Sequence, residues 1–523
     1  MSSLTGSPAL AAVSRRSVLK GATALGTAAL VTPWGTPLKA QPKHGGTLRV
    51  GMAHGSTTDA MDPGSWEADF MIFQAHTRNN YLTEIAADGS LVPELAESWE
   101  ASPDARVWTF KIREGVDYHS GHRLVAEDVI ASIDHHRGDD STSAAKPIVA
   151  DVVDMKADGM NVIVTLANGN ADFPFVLSDY HLPILPAKDG MIDPETRDGC
   201  GPFRIVDLEF GVGARYERHD GYWKSGLPYI DAIEQFVIHD DAARQNALIS
   251  GEVNYIDTVD LNTVSLLGRA AGIEILSVTG TQHYGLPMDT RAAPFDDVNV
   301  RLALKYAINR QQLVDTILNG YGSLGNDHPI GPGARFFNTD LPQKELDPDK
   351  AKFHLKQAGL DSLSVDIHLA DAAFAGAIDA GVLFSESAAS AGINLNVVRE
   401  PNDGYWSNVW MQKPFVGTYW GGRPTEDWMF ATAYAEGVPW NETYWSHDRF
   451  NELLISARSE LDENLRREMY FEMQQIVSDE GGIIIPMFAA YVGAYSDTLV
   501  KPDQVASNWR NDGHRIGERW WFS

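Results

Sequence analysis

Leu91-Val92-Pro93-Glu94-Leu95-Ala96-Glu97-Ser98-Trp99 is followed, nine residues further on, by Trp108-Thr109-Phe110-Lys111-Ile112-Arg113-Glu114-Gly115-Val116, and then by Ala126-Glu127-Asp128-Val129. The pieces read as strand, turn, strand and the start of a helix. Trp108, Phe110 and Ile112 alternate with Thr109 and Lys111, the period of a strand with one buried and one wet face. Pro103-Asp104 marks the turn before that strand, and Gly115 and Gly121 break the chain after it.

The same alternation of short strands and amphipathic helices continues outward. Gly45-Gly46-Thr47-Leu48-Arg49-Val50-Gly51 is a loop entering a strand, Gly199-Cys200-Gly201-Pro202-Phe203-Arg204-Ile205 opens another sheet segment, and Asp220-Gly221-Tyr222-Trp223-Lys224 is a turn before a strand. Asp240 or Asp241 caps a helix through Ala247 and Leu248 that ends at Gly251, and Val253-Asn254-Tyr255-Ile256 resumes as strand. A second helix is expected over about 297–319, with Val300, Leu304, Ala307, Ile308, Val314, Ile317 and Leu318 on one apolar stripe. A third is expected over about 462–478, burying Leu465, Met469, Met473, Ile476 and Val477. Ile483-Ile484-Ile485-Pro486 follows as a short buried strand.

The order of these segments resembles the extracytoplasmic solute-binding proteins of family 5, the peptide, nickel and opine receptors of ABC importers. The likeness runs along nearly all of the chain after residue 40. Cys200 stands where the family usually has Thr, and Asn309-Arg310 where it often has Asp-Arg. The resemblance implies an α/β fold, a bilobal periplasmic-binding-protein architecture (type II-like) with an additional third domain. Residues 41–80, 196–283 and 480–523 would build lobe I, 81–195 the additional domain, and 284–479 lobe II.

The 523 residues, 44% hydrophobic, 10% aromatic and 22% charged, suit a globular protein of two or three domains. Cys200 is the single cysteine and has no partner for an internal disulfide. At the N-terminus, Ser14-Arg15-Arg16-Ser17-Val18-Leu19-Lys20 resembles a twin-arginine export signal. An uncharged stretch follows, interrupted by Pro33, Gly35 and Pro37 and ill suited to span a membrane. Cleavage is expected after Ala40. Loss of residues 1–40 removes Arg15, Arg16, Lys20 and Lys39 and no acid, so the formal charge moves from −29 to −33. So negative a surface repels nucleic acid and anionic membranes. The expectation is a soluble periplasmic monomer that meets the membrane only through the permease and ATPase subunits of a transporter.

No catalytic constellation stands out. None of the 16 histidines opens a His-Glu-x-x-His motif. Tyr321-Gly322-Ser323-Leu324-Gly325 has Tyr in place of the first Gly of a nucleophile elbow, and no phosphate-cradling glycine loop ends in Gly-Lys-Ser/Thr. No cofactor and no metal site is expected. A hydrolase with a scattered active site is the less favoured reading, and a chaperone or sensory binding protein without transport stays open.

Ligand contacts are sought first among the aromatic residues Tyr405, Trp406, Trp410, Tyr419, Trp420, Trp428, Tyr434, Trp440, Tyr444 and Trp445. Large flat side chains offer stacking area and a polar handle with little entropy to lose. Within Trp420-Gly421-Gly422-Arg423-Pro424-Thr425-Glu426-Asp427, peptide-binding relatives resemble a Trp followed by an Asp that pairs with the peptide's ammonium. Arg423 stands about there, which reverses the charge and suits a carboxylate. The alternative is a loop staple from Arg423 to Glu426 or Asp427. His54 and Ser56 after the first strand, and His283 and Tyr284 near the expected crossover between lobes, complete the candidates, with Tyr405, Trp406, Trp420, Gly421, Arg423, Asp427 and Trp440. The ligand expected is a small polar solute: an opine-like or amino-acid-derived molecule, or a short peptide.

Overall fold

A computed structural model describes residues 42–523; the export signal and its cleavage point lie outside the described residues. Strand Thr47–Met52 buries Leu48, Val50 and Met52. It pairs in parallel with Ala232–Val237 on one side and Tyr255–Ile256 on the other. Between those two partners runs helix Asp241–Ile249. The Asp240 carboxylate accepts the Ala243 amide at 2.7 Å, and Gly251 turns the chain at φ +77°. This is the strand–helix–glycine–strand unit expected from the sequence.

These strands belong to a nine-stranded sheet whose axis is a long antiparallel pair, Ile273–Pro287 and Ile483–Ser496. The second of these was expected to stop near Pro486 and instead runs for 14 residues. Pro486, which has no amide hydrogen, falls where the register shifts between Tyr284 and Leu286, so the ladder continues past it. At Gly280 a Cβ would stand 2.4 Å from the Ala489 carbonyl, so the close approach there needs glycine. Short strands Gly322–Leu324 and Thr418–Trp420 join the far end of this pair.

The opening hairpin is as read: Ala96–Ala101 pairs with Val107–Ile112, and Trp108, Phe110 and Ile112 are buried. Asn161–Leu166 and Val152–Asp158 extend it to four strands, and helix Ala126–Asp134 packs on it. A third sheet pairs Leu363–Leu369 in parallel with Ile393–Arg399 through helix Ala377–Ala389.

Two helix expectations are corrected. The stretch 297–319 is two helices, Val298–Ala307 and Arg310–Ile317. Ile308 is extended, and the Asn309 side chain caps the second helix by accepting the Gln312 amide at 3.1 Å. Arg310 then holds the corner with a two-pronged pair to buried Asp327 at 2.8 and 2.7 Å. In helix Glu463–Glu480 the buried face carries Arg466, Tyr470, Met473, Gln474 and Val477, while Leu465 is 46% exposed. The buried Arg466 pairs with Asp172 at 2.7 Å, and Gln474 bonds the Phe336 carbonyl and the Asn338 amide. Those polar partners turn the helix away from its simple apolar stripe.

Candidate functional site

Strand Thr418–Trp420 leaves the sheet into Gly421-Gly422-Arg423-Pro424, and Thr425 then caps helix Glu426–Ala433 by accepting the Trp428 amide. Any side chain at Gly422 would collide with Thr281 Oγ1, so glycine lets the loop lie against Ile273–Pro287. This loop forms one wall of a cavity of about 70 Å³. The loop 329–335 forms a second wall, Ile85, Gly89 and Phe175 a third, and Ser507, Asn508 and Trp509 a fourth. Ligand pockets for small organic molecules run to roughly 300–1,000 Å³, so these walls must separate to admit anything beyond a few atoms. A groove of about 440 Å³ adjoins the cavity, sharing Gly89, Phe175 and Arg335, and is lined further by Trp99, Trp108, Arg466 and Arg467.

Two guanidinium groups reach the cavity in different states. Arg335 is committed: it pairs with Glu463 at 2.5 Å and lies over the Phe175 and Phe336 rings. Arg423 is not. It donates long bonds to the carbonyls of Gly421 and Gly422, at 3.3 and 3.2 Å, and sits 5.6 Å from the Trp420 ring centroid. Among the described residues no carboxylate pairs with it. Burial lowers its pKa from the ordinary value and the Tyr180 phenol opposes that, yet a guanidinium stays charged. The loop-staple alternative is absent from this geometry: Glu426 accepts the Phe336 amide at 2.7 Å, and Asp427 is held by Arg458 with both oxygens at 3.1 Å. Burial raises the Asp427 carboxyl to about 6 despite Arg458.

Of the residues singled out from the sequence, Arg423 lines this cavity. His54 and Ser56 lie exposed on the loop after Thr47–Met52, and Ser56 borders a separate surface hollow with Asp59 and His135. His283 is fully buried against Phe488, and burial lowers its pKa to about 4. Tyr284 stacks on Phe374 with centroids 4.5 Å apart. Tyr405 is a core staple whose hydroxyl donates to the Gly417 carbonyl at 2.8 Å and accepts the Gly417 amide at 3.1 Å. Trp420 and Trp410 both donate to the buried Glu442. Trp406 and Trp440 are exposed, and Gly421 faces open space. Sequence reasoning passed over Phe175, Arg335 and Trp509. The turn residues Gly331-Pro332-Gly333 and Asn511-Asp512-Gly513 were the available signals for two of those walls.

Residues 90–442 match the family model described as bacterial extracellular solute-binding proteins, family 5 Middle. The dipeptide-binding protein of Escherichia coli (strain K12) is 25% identical over 440 residues, 76% of this chain and 80% of that one. Heme-binding protein A of Haemophilus influenzae is 29% identical over 295 residues, 51% of this chain and 53% of that protein. The solved structure of the ABC transporter-associated periplasmic binding protein DppA from Helicobacter pylori, in complex with peptide STSA, superimposes with a TM-score of 0.69 at 21% identity. It covers 92% of this chain and 99% of its own. The fold is thus the mixed α/β, bilobal binding-protein architecture with an additional domain. The chain belongs to the bacterial extracellular solute-binding proteins of family 5.

Proposed function

We propose that this protein is the periplasmic substrate-binding component of an ABC importer, capturing a compact anionic or zwitterionic solute such as an opine-like conjugate or a modified amino acid. The observation that carries the ligand class is Arg423, a cavity-lining guanidinium with no carboxylate of its own among the described residues. Phe175 and Trp509 supply aromatic surface beside it. The transport role rests on the family and on the ABC transporter-associated structural relative. Short peptides are the second reading, favoured by the dipeptide-binding relative and the peptide-bound structure. Native mass spectrometry of the purified protein tests the choice. A retained ligand that carries a carboxylate supports the first reading, and a neutral or purely cationic one overturns it.

Binding works by closure, with no chemistry on the ligand. The division into 41–80, 196–283 and 480–523 as lobe I, 81–195 as the additional domain and 284–479 as lobe II draws support from the cavity itself. Thr281 and Trp509 come from the first, Phe175 from the second, and Arg335 and Arg423 from the third. A ligand bridging these walls favours the closed form by its difference in affinity for the two states. The monomer's radius of gyration in small-angle scattering is therefore expected to fall on saturation with the retained ligand. An unchanged radius argues for a rigid binder. The closed form would be the one presented to the permease and its ATPase subunits.

Export by the twin-arginine route, with cleavage near Ala40, follows from Arg15-Arg16 ahead of an uncharged stretch. Replacing both arginines by lysine is expected to abolish the periplasmic mature form in cell fractionation. Undiminished mature protein would contradict the route.

A further inference from the structure

Trp509 borders the Arg423 cavity and also two small chambers behind it, each of about 10 Å³. That is about the space one water-sized group needs. One chamber is lined by Tyr255, Asp257, Tyr491, Arg510 and Asn511. Asp257 is 1% exposed; its Oδ1 accepts the Ala53 amide at 2.9 Å, and its Oδ2 has no hydrogen-bond partner among the described residues. Asn511 is 2% exposed; its amide nitrogen meets His514 Nδ1 at 3.2 Å, and its Oδ1 has no hydrogen-bond partner among the described residues. Both unmatched atoms are oxygens; the Asn511 oxygen accepts, and the Asp257 oxygen accepts when its carboxyl, which burial raises to about 7, is ionised.

The cations nearby are already engaged. Arg510 pairs with Asp69 at 3.3 Å and donates to Thr258 Oγ1 at 3.0 Å. Arg244 lies 3.9 Å from Asp257 but donates to the carbonyls of Ile238 and Thr258 and pairs with Asp241. The Arg510 guanidinium also lies over the Tyr491 ring, 5.3 Å from its centroid, so that π-face is taken as well.

The segment that presents Trp509 is built for a fixed base and a free side chain. Asn511, Asp512, Gly513 and His514 all have positive φ, between 56° and 64°, a run that L residues adopt only when their surroundings enforce it. Asp512 enforces it by accepting the Ala506 amide at 2.7 Å and the Trp520 indole at 3.1 Å. The Trp509 indole itself makes an edge contact with Tyr180, at 5.7 Å between centroids, and no hydrogen bond among the described residues.

We propose that Trp509 is a gate and that, with its indole swung aside, the chamber behind it seats a primary ammonium group of the ligand between Asp257 and Asn511. The proposal rests on the Arg423 cavity being the ligand site. It gives the two ends of a zwitterion separate seats, the carboxylate at Arg423 and the ammonium at Asp257.

The test uses methylammonium as the probe and tetramethylammonium, of equal charge but too bulky for the chamber, as its control at matched ionic strength. In the Trp509→Gly full-length protein, methylammonium is expected to raise the melting temperature with rising concentration, and tetramethylammonium to leave it unchanged. Adding Asp257→Asn is expected to shift the methylammonium response to about tenfold higher concentration, as befits a charge-assisted bond reduced to one with a neutral amide acceptor. Should Trp509→Gly fail to fold, Trp509→Leu serves in the same measurement. Equal responses to the two cations, no response to either, or a response indifferent to Asp257→Asn overturns the proposal; a chamber that holds only water gives the second result. The probe does not involve Arg423, so this failure is distinct from a failure of the carboxylate reading.

Discussion

Arg423→Ala is expected to weaken binding of the retained ligand by about 2–5 kcal/mol, the usual cost of removing one partner of a buried charge-assisted pair. That corresponds to a loss of roughly 30-fold to several thousand-fold in Kd. The side chain has five N–H donors in a planar fork, and among the described residues they serve two long bonds to the carbonyls of Gly421 and Gly422. The free edge of the fork matches the two oxygens of a carboxylate. Arg423→Lys keeps the charge and loses the fork, so it should fall between wild type and the alanine variant. Among the described residues the side chain holds no ion pair, so Arg423→Ala should leave stability within about 1 kcal/mol of wild type, and calorimetry on the folded variant reads binding alone. If the alanine variant binds as tightly as wild type, the charge-reversal reading of this loop is wrong.

What was legible in the sequence was local. The hairpin 96–112 and the Asp240 cap could be read because period-two burial and helix capping are written in neighbouring residues. The long strand Ile483–Ser496 could not, because Ala489, Ala490, Gly493 and Ala494 blur the alternation, and its continuation depends on a partner some 200 residues away. On helix Glu463–Glu480 the expected Met473 and Val477 are buried, but Leu465 is exposed and Arg466 takes an interior place, for the same reason. Arg466 is interior only because Asp172, far off in the chain, neutralises it. The candidate site divides along that line too. Arg423 came from a resemblance confined to one loop, whereas Phe175, Arg335 and Trp509 meet it only through tertiary packing. Asp427 looked available until the fold brought Arg458 against it.

Lys224→Met is expected to destabilise the protein by about 3–5 kcal/mol, because it breaks a buried charge network and leaves its acids short of a cation. The sequence motif Asp220-Gly221-Tyr222-Trp223-Lys224 reads as a turn, but its last three residues are anchors. Lys224 Nζ lies 2.5 Å from Glu84, 2.8 Å from Glu518 and 3.6 Å from Glu94. Arg515 completes the ring at 2.9 Å from Glu94 and 3.1 Å from Glu518, and Arg519 pairs with Glu84 at 2.7 Å. Tyr222 donates to Glu518 at 3.0 Å, and the Trp223 indole donates to Asn80 at 3.0 Å. The network thus ties residues 80–94 to the turn 222–224 and to the C-terminal helix Ile516–Arg519. Burial pushes the Glu84 carboxyl up, but Arg515, Lys224 and Arg519 together hold it well below the usual range. Glu518 is lowered in the same way, its burial outweighed by Lys224 and Arg515. A depressed folded-state pKa contributes stability above the unfolded value of about 4.3 that is lost as pH falls through the folded one. Glu94 is shifted the other way, raised by burial, so the acid-side loss is carried by Glu84 and Glu518: wild type should lose their stabilisation as pH drops below about 4.3, and Lys224→Met, with weaker hold on both, should lose less over that interval. Urea unfolding at pH 7 and pH 3.5 reads both effects, and hydrogen exchange locates them. Amides around residues 81–96 should open first in the variant. A change below about 1 kcal/mol at pH 7 would mean that Arg515 and Arg519 alone suffice to hold the three glutamates, and that the turn is no more than a turn.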